Sequence, residues 1–475
     1  MGIKLKKLNE FEWEIPKTRN MNVPGRIFAS TKLLESISHD RTLEQLKNMA
    51  SMPGIYKYSI ALPDAHQGYG FCIGGVVALD SKTGGLSPGG VGYDINCGVR
   101  LIKTNLVYED VAPRIKEIIN RIYEFIPAGL GSEGRLKRLS RDEIDNVLNL
   151  GVKWALEKGY ATKKDLKHTE DEGQLKADAS LVSEKAKSRG AKQLGSLGAG
   201  NHFMEVQKVE KVFDEKTAKA FGLKLNQIVL MIHTGSRGLG HQVCSDYLRQ
   251  MEKTFPYLIK SLPDRELIYS PANTELCDKY FLAMNAAANF AWNNRQLILY
   301  WARQAFEKIF PDSELKQVYD ICHNIAKKEK HKIDGETREV FLHRKGATRA
   351  FPAGRKEVPE TYKNYGHPVL LPGSMGTASY VLVGTNEGLK KTFGSTAHGA
   401  GRVLSRHAAV NKARGEDVQK QLNKDNIVLK AHSWRVVAEE APFAYKDIDE
   451  VALVSEKTGI ARRVVRMTPL GVIKG

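Results

Sequence analysis

The chain has 475 residues, 42% hydrophobic and 27% charged, an ordinary soluble globular balance with room for one large domain or two to three of common size. Lys and Arg number 72 against 54 Asp and Glu, a net charge of +18, which points to a polyanionic partner. No apolar run approaches the roughly 18 residues needed to span a bilayer, and the opening MGIKLKKLNEFEWEIPK has neither a secretory core nor, with Lys6, a myristoylation pattern, so no membrane role and a cytoplasmic location are expected.

In chain order, residues 58–62 and 73–79 read as short strands bounded by glycine or proline. Residues 112–126, with Ile115, Ile118, Ile119 and Ile122 on one face, and residues 142–158 have helical periodicity. Strand character returns at 227–233. Residues 281–310 predict a long apolar helix that carries Asn285, Asn289, Asn293, Asn294 and Arg295. Such groups are costly to bury unpaired, so they either back a polar cleft or satisfy hydrogen bonds in the core. The charge-dense stretch 327–345 reads as a solvated hairpin with Asp334-Gly335 at its tip, and it contains a strand at 340–343. Residues 380–384 are a further strand, and the sequence after Arg402 looks helical. No repeat, low-complexity tract or linker interrupts the chain. Strands and helices without strict βαβ alternation predict an α+β fold, with one large domain over residues 1–475.

The five cysteines are scattered and form no CxxC, which argues against a disulfide framework or a zinc finger. Cys72, Cys244, Cys277 and Cys322 are expected to be small core residues. Cys97 differs. It sits in GGVGYDINCGVR (89–100), three residues after Asp94, among glycines. Three polar turns add histidines: Asn201-His202, His233-Thr234-Gly235 and His323-Asn324. One carboxylate, one thiolate and three imidazoles can hold two adjacent ions, with the sulfur shared, and such mixed donors suit zinc, manganese, cobalt or iron. His39, His168, His331 and His432 lack this setting and are expected to be structural.

Two small-residue turns, LPGSMG (371–376) and His398-Gly399-Ala400-Gly401-Arg402, can bring backbone amides up to a phosphate. The helix expected after Arg402 would aim its N-terminus at the anion. His398 at the lip of that turn can act as a nucleophile on phosphorus. No GxxxxGK[ST] occurs, which excludes an ordinary P-loop. Lys332-Ile333-Asp334-Gly335 matches the lysyl-nucleotide motif KxDG, but a wet hairpin tip would not lower a lysine pKa. Arg237, Arg344, Arg349, Arg402 and Arg406 lie in or beside glycine-rich turns and are expected to line the cleft. The residues themselves thus support metal-assisted phosphoryl chemistry on a polyanion. A metal-dependent RNA phosphodiesterase or nuclease can use the same groups, and a catalytically silent RNA-binding module would leave the recurring donors without purpose.

PDAHQGYG (63–70), GGVGYDINCGVR, LGAGNHFMEV (197–206), HTGSRGLG (233–240), CHN (322–324), LPGSMG, AHGAGR (397–402) and Lys474 together resemble the RtcB RNA ligases from end to end. The resemblance implies a single mixed α+β domain with stacked sheets. It implies an enzyme that uses GTP and two Mn²⁺ ions to join RNA 2′,3′-cyclic phosphate or 3′-phosphate ends to 5′-hydroxyl ends, in tRNA splicing and RNA repair. Carried over by motif, Asp94, Cys97 and His202 would hold one manganese, and Cys97, His233 and His323 the other; His398 would accept the guanylyl group. Nucleotide contacts would come from Asn201, His202, Phe203, Met204, Glu205, His323, Asn324, Pro372, Gly373, Ser374, Met375, Ser379, His398, Gly399, Ala400, Gly401, Arg402 and Lys474. Arg189, Arg237, Arg402 and Arg406 are candidates for RNA phosphates, since bidentate arginine suits phosphate oxygens. The substrate is expected to be RNA, with tRNA halves first in line. The family admits an archease-type activating partner, and a monomer is expected.

Overall fold

The computed structural model describes residues 3–475. Among these, a seven-stranded sheet runs in the order Lys6–Lys7, Glu12–Ile15, Gly25–Phe28, Ser59–His66, Ile73–Asp80, Glu336–Lys345, Asn324–Ile333. An eight-stranded sheet follows the order Lys316–Cys322, Gly98–Val107, Gln227–Thr234, Phe203–Val212, Ala461–Lys474, Ser379–Gly384, Pro368–Leu371, with Val428–Ala431 also paired to Ala461–Lys474. Pairing is antiparallel except between Gly25–Phe28 and Ser59–His66, and between Val428–Ala431 and Ala461–Lys474. A small ribbon, Ala347–Arg349 with Ser395–Ala397, completes the part of the fold that matters for the site. Mixed helices and antiparallel-dominated sheets make the class α+β, as expected.

The strands form where β-branched and aromatic residues cluster, and the long central ones are buried along their full length, as in Gln227–Thr234. The long helix is Glu275–Glu307, starting six residues earlier than expected because Thr274 caps it through the Cys277 amide. Its middle is fully buried, and both expectations for its asparagines hold in part. Asn289 pairs with backbone of Leu148 and Leu175 in the core. Asn294 instead holds Gly195, Ser196 and Gly235, which lie behind the cleft.

Three local expectations need correction. The helix read over 142–158 is two helices, Arg141–Leu150 and Val152–Glu157, divided at Gly151. Its φ is +57° and a Cβ there would lie 2.1 Å from the Gly173 carbonyl oxygen, so only glycine fits. The helix over 112–126 begins later, at Ile115–Phe125, after two short turns. The 327–345 hairpin forms about its Asp334-Gly335 turn, with φ of +49° and +89° and Lys332 exposed beside it, but it is not solvated on both faces. Alternation buries Lys327, Glu329 and His331. Lys327 and Arg349 meet Glu170 and Asp171, while Arg344 and His331 meet Glu329 at 2.6 and 2.9 Å. Arg344 and Arg349 are therefore counter-ions of a buried network and do not line the cleft.

Candidate metal and nucleotide site

The antiparallel registers explain why distant donors meet. Gly98 pairs with Cys322 and with Thr234, and Phe203 pairs with His233 and with Lys474. One end of the eight-stranded sheet thus carries Cys97, His202, His233, His323 and Lys474, each at or within a residue or two of a strand end. Side chains placed there leave the sheet and need not pack against a neighbour.

Two sets of donors converge. Asp94, Cys97 and His202 form one, and Cys97, His233 and His323 the other, with the ligand atoms of each set within 4.8 Å of one another. Cys97 Sγ lies 3.3 Å from His233 Nε2 and 3.5 Å from His202 Nε2. His202 Nε2 is 2.9 Å from Asp94 Oδ2, and the Nε2 atoms of His233 and His323 are 3.3 Å apart. Burial drives the His233 and His323 rings well below the ordinary histidine range, so both are neutral and present lone pairs. Burial, reinforced by Asp94, pushes the Cys97 thiol well up. Burial also opposes charge on Asp94, yet the His202 hydrogen bond holds its carboxyl below the usual range. Lone pairs, a carboxylate and a sulfur facing one another in a dry site are what a pair of shared-ligand cations would relieve, so the donor set fits the expected dimetal occupancy.

The loop that carries Cys97 is held from behind. Arg295, fully buried, donates to the carbonyls of Asn96 and Thr234 at 2.8 and 2.7 Å and to Asn96 Oδ1 at 2.9 Å. Its charge is balanced by Asp320, which also takes Arg100 at 2.7 Å. Asn96 has a φ of +53°, an αL position that asparagine tolerates. Asp94 Oδ1 accepts from the Ser236 amide at 3.0 Å, and a Cβ on Gly235 would lie 2.4 Å from that oxygen. The glycine of the His-Thr-Gly turn is therefore a clearance requirement for Asp94.

His398 follows the strand Ser395–Ala397 and faces the same donors, its ring centroid 4.8 Å from that of His323. The other sheet contributes Asp64, whose Oδ2 accepts from the His398 backbone amide at 2.9 Å and meets His398 Nδ1 at 2.5 Å. A carboxylate at Nδ1 fixes the tautomer, leaving Nε2 as the lone-pair nitrogen. Among the described residues that Nε2 has no hydrogen-bond partner. The helix after the turn begins only at Arg406, capped by Ser405, so the expected helix N-terminus does not sit behind residues 398–402. The turn is instead closed by Gly401 with φ +72°, whose absent Cβ would collide with the Asp64 carbonyl.

These groups open into a cleft of about 1650 Å³. Asn201, Phe203, Asn324, Pro372, Gly373, Ser374, Met375, Gly399, Ala400, Arg402 and Lys474 line it with the donors and His398. Alternation turns Met204 away into the core, so its side chain is not part of the lining. Glu205 and Ser379 lie just behind, joined through Gln207 at 2.6 and 3.0 Å. Burial raises Glu205 to about 8 and lowers Lys474 to about 8. Arg189, Arg237, Arg402 and Arg406 all border the cleft. Arg237 is mostly buried, bonded to Ser196 and Ser132. Arg402 and Arg406 share the buried carboxylate of Glu440 at 2.9 and 3.0 Å.

Sequence reasoning missed Asp64, Glu440, Lys345 and the Arg295–Asp320 brace. Asp64 stands in the PDAHQGYG segment, and an acidic residue within an apolar strand was the available signal. Lys345, which also lines the cleft, has its ammonium on the Phe71 carbonyl at 3.0 Å, and burial lowers it to about 8. Cys72, Cys244, Cys277 and Cys322 are buried free thiols, as expected. No helix of the described residues is long and apolar enough to cross a membrane.

A family model described as tRNA-splicing ligase RtcB matches residues 45–475. The chain is 56% identical to a protein of that name from Thermococcus kodakarensis, covering 100% of this chain and 99% of the relative. It is 53% identical to one from Methanococcus maripaludis, covering 99% of each, and 52% identical to one from Pyrobaculum aerophilum, covering 100% of each.

Proposed function

Since the chain belongs to the RtcB family of tRNA-splicing ligases, we propose that it is an RNA ligase of tRNA splicing and RNA repair that joins 2′,3′-cyclic phosphate or 3′-phosphate ends to 5′-hydroxyl ends at the expense of GTP. The observation that carries this reading is the Asp64–His398 pair facing the two donor sets across one cleft. Asp94, Cys97 and His202 would hold one divalent ion and Cys97, His233 and His323 the other, manganese by family resemblance, supplying charge neutralisation at the reacting phosphates.

A 3′-phosphate end is a dianion without a useful leaving group, so it must be activated before a hydroxyl can displace anything from it. His398 Nε2, freed by the hold of Asp64 on Nδ1, attacks the α-phosphorus of GTP and pyrophosphate leaves. The RNA 3′-phosphate oxygen then takes the guanylyl group from the histidine, giving a diphosphate end. The 5′-hydroxyl attacks the 3′-phosphorus of that end and GMP departs. A cyclic end is first opened by water. Guanine-nucleotide contacts would come from Asn201, Phe203, Glu205, Asn324, the 372–375 turn, Ser379, the 399–402 turn and Lys474. Arg189, Arg237, Arg402 and Arg406, all at the cleft border, would grip RNA phosphates. A nuclease would share the donors and the basic rim but has no need of a covalent GMP acceptor.

Incubation with α-labelled GTP and Mn²⁺ is expected to give an acid-labile covalent adduct, absent in His398→Ala although that variant still binds metal and RNA. A labelled His398→Ala protein would refute the assignment.

A further inference from the structure

His66 ends the strand Ser59–His66 two residues after Asp64, past a bulge that interrupts the strand's pairing between Ala61 and His66, and its side chain borders the cleft. The residue is partly buried, and its ring lies 6.5 Å from that of His398 at an interplanar angle of 23°. Its Nδ1 is 3.0 Å from the Asp64 carbonyl oxygen. A carbonyl only accepts, so Nδ1 carries the ring proton and Nε2 holds a lone pair. Among the described residues Nε2 has no hydrogen-bond partner, and the residue borders the cleft.

The surroundings keep the ring uncharged. Burial lowers His66 to about 4, the Asp64 carbonyl opposes this, and His398 and Lys446 push the same way as burial. Asp64, whose Oδ2 is taken by His398, favours the charged ring, but less than burial opposes it, and Asp40 Oδ2 accepts from the Gln67 amide at 2.9 Å. Lys446 gives its ammonium to the Ala65 carbonyl. A neutral ring with only an acceptor free cannot anchor a phosphate, whose oxygens also accept. It can receive the proton of a hydroxyl.

We propose that His66 is a further catalytic residue of the sealing step, its Nε2 taking the proton of the RNA 5′-hydroxyl as that oxygen attacks the activated 3′-phosphorus. The inference rests on the ligase reading above. The O5′–phosphorus bond forms, the bond from phosphorus to the guanylate oxygen breaks, and GMP leaves with the electron pair. The proton resides on His66 and passes to water once the product departs.

Sealing and guanylylation can be measured apart. RNA carrying a preformed 3′-diphosphoguanosine end is mixed with 5′-hydroxyl RNA, Mn²⁺ and wild-type or His66→Asn protein. Asparagine can keep the bond to the Asp64 carbonyl and lacks an acceptor at the Nε2 position. Sealing is expected to fall about a hundredfold or more, while labelling by α-labelled GTP stays within about threefold of wild type, which also shows that the variant is folded. Sealing within about threefold of wild type overturns the proposal, and so does a parallel loss of labelling, which would make His66 a support for His398. Wild-type protein that seals the preformed end yet takes no label would strike the histidine-guanylate reading alone and leave His66 to the sealing result.

Discussion

Replacing Asp64 by asparagine isolates the contribution of one buried carboxylate to nucleophile activation. Its Oδ2 alone serves both the amide and Nδ1 of His398, and its Oδ1 has no partner among the described residues. Asparagine is nearly isosteric, so the amide oxygen can take over the Oδ2 position and its NH₂ can occupy the vacant one. What disappears is the charge. A hydrogen bond to a charged group contributes about 1.5–3 kcal/mol, and tenfold in rate corresponds to about 1.4 kcal/mol. Guanylylation should slow by about 10- to 150-fold, because the positive charge that develops on the attacking imidazole loses its counter-charge. Asp64→Ala should lose more, since the His398 amide is then left without an acceptor, at a further cost of about 1–3 kcal/mol. The assay is the single-turnover rate of label transfer from α-labelled GTP at saturating nucleotide, with thermal unfolding as a fold control. An Asp64→Asn protein labelled within about threefold of wild type would show that the carboxylate does not tune His398.

Cys97 belongs to both donor sets, so Cys97→Ser should lower bound manganese from two ions toward none, whereas His202→Ala should remove one; elemental analysis after gel filtration decides, and a serine variant that keeps two ions refutes the sharing. Arg295→Met leaves the Asn96 and Thr234 carbonyls without this donor and Asp320 with one counter-ion fewer. Removing one partner of a buried pair costs about 3–5 kcal/mol, to be read from urea unfolding of the metal-free protein, and a loss below about 1 kcal/mol would contradict the brace. Glu205 has a folded pKa of about 8, raised by burial above its unfolded value. The folded state therefore holds the extra proton between those values, and the stability this confers is full below the unfolded value and lost as pH rises through 8. Glu205→Gln should gain stability relative to wild type progressively from about pH 5 to 8; a difference in melting temperature that stays flat over that range would show the carboxyl titrates normally.

The donors were legible because each histidine and the cysteine stood in a short polar turn with glycine or asparagine, a local signal. The sharing of Cys97 and the ligand role of Asp94 followed from the donor types, whereas the division of the histidines between the two ions and the guanylyl role of His398 came with the family resemblance. Ion pairing across the fold was not legible. Arg344 and Glu329 are only 15 residues apart, yet alternating charges on a hairpin read as a wet surface when the residues covering one face are unknown. Asp64 and His398 lie 334 residues apart and belong to different sheets, so neither announces the other. Helix boundaries failed at Gly151 and Ser405 because periodicity continues through a cap while the backbone does not, and at Thr274 because the cap opens the helix six residues before its apolar run.

The placement of all ligand atoms at one end of the eight-stranded sheet ties cation binding to the whole fold. The ions would act as rivets across four adjacent strands, Lys316–Cys322, Gly98–Val107, Gln227–Thr234 and Phe203–Val212, which otherwise cohere through their ladders, side-chain packing and the buried Arg100–Asp320 pair. Ligands that exist as a cluster only in the native chain make occupancy and global unfolding one linked equilibrium. Chelation should therefore loosen the molecule as a unit, and the melting temperature should climb with the logarithm of free metal.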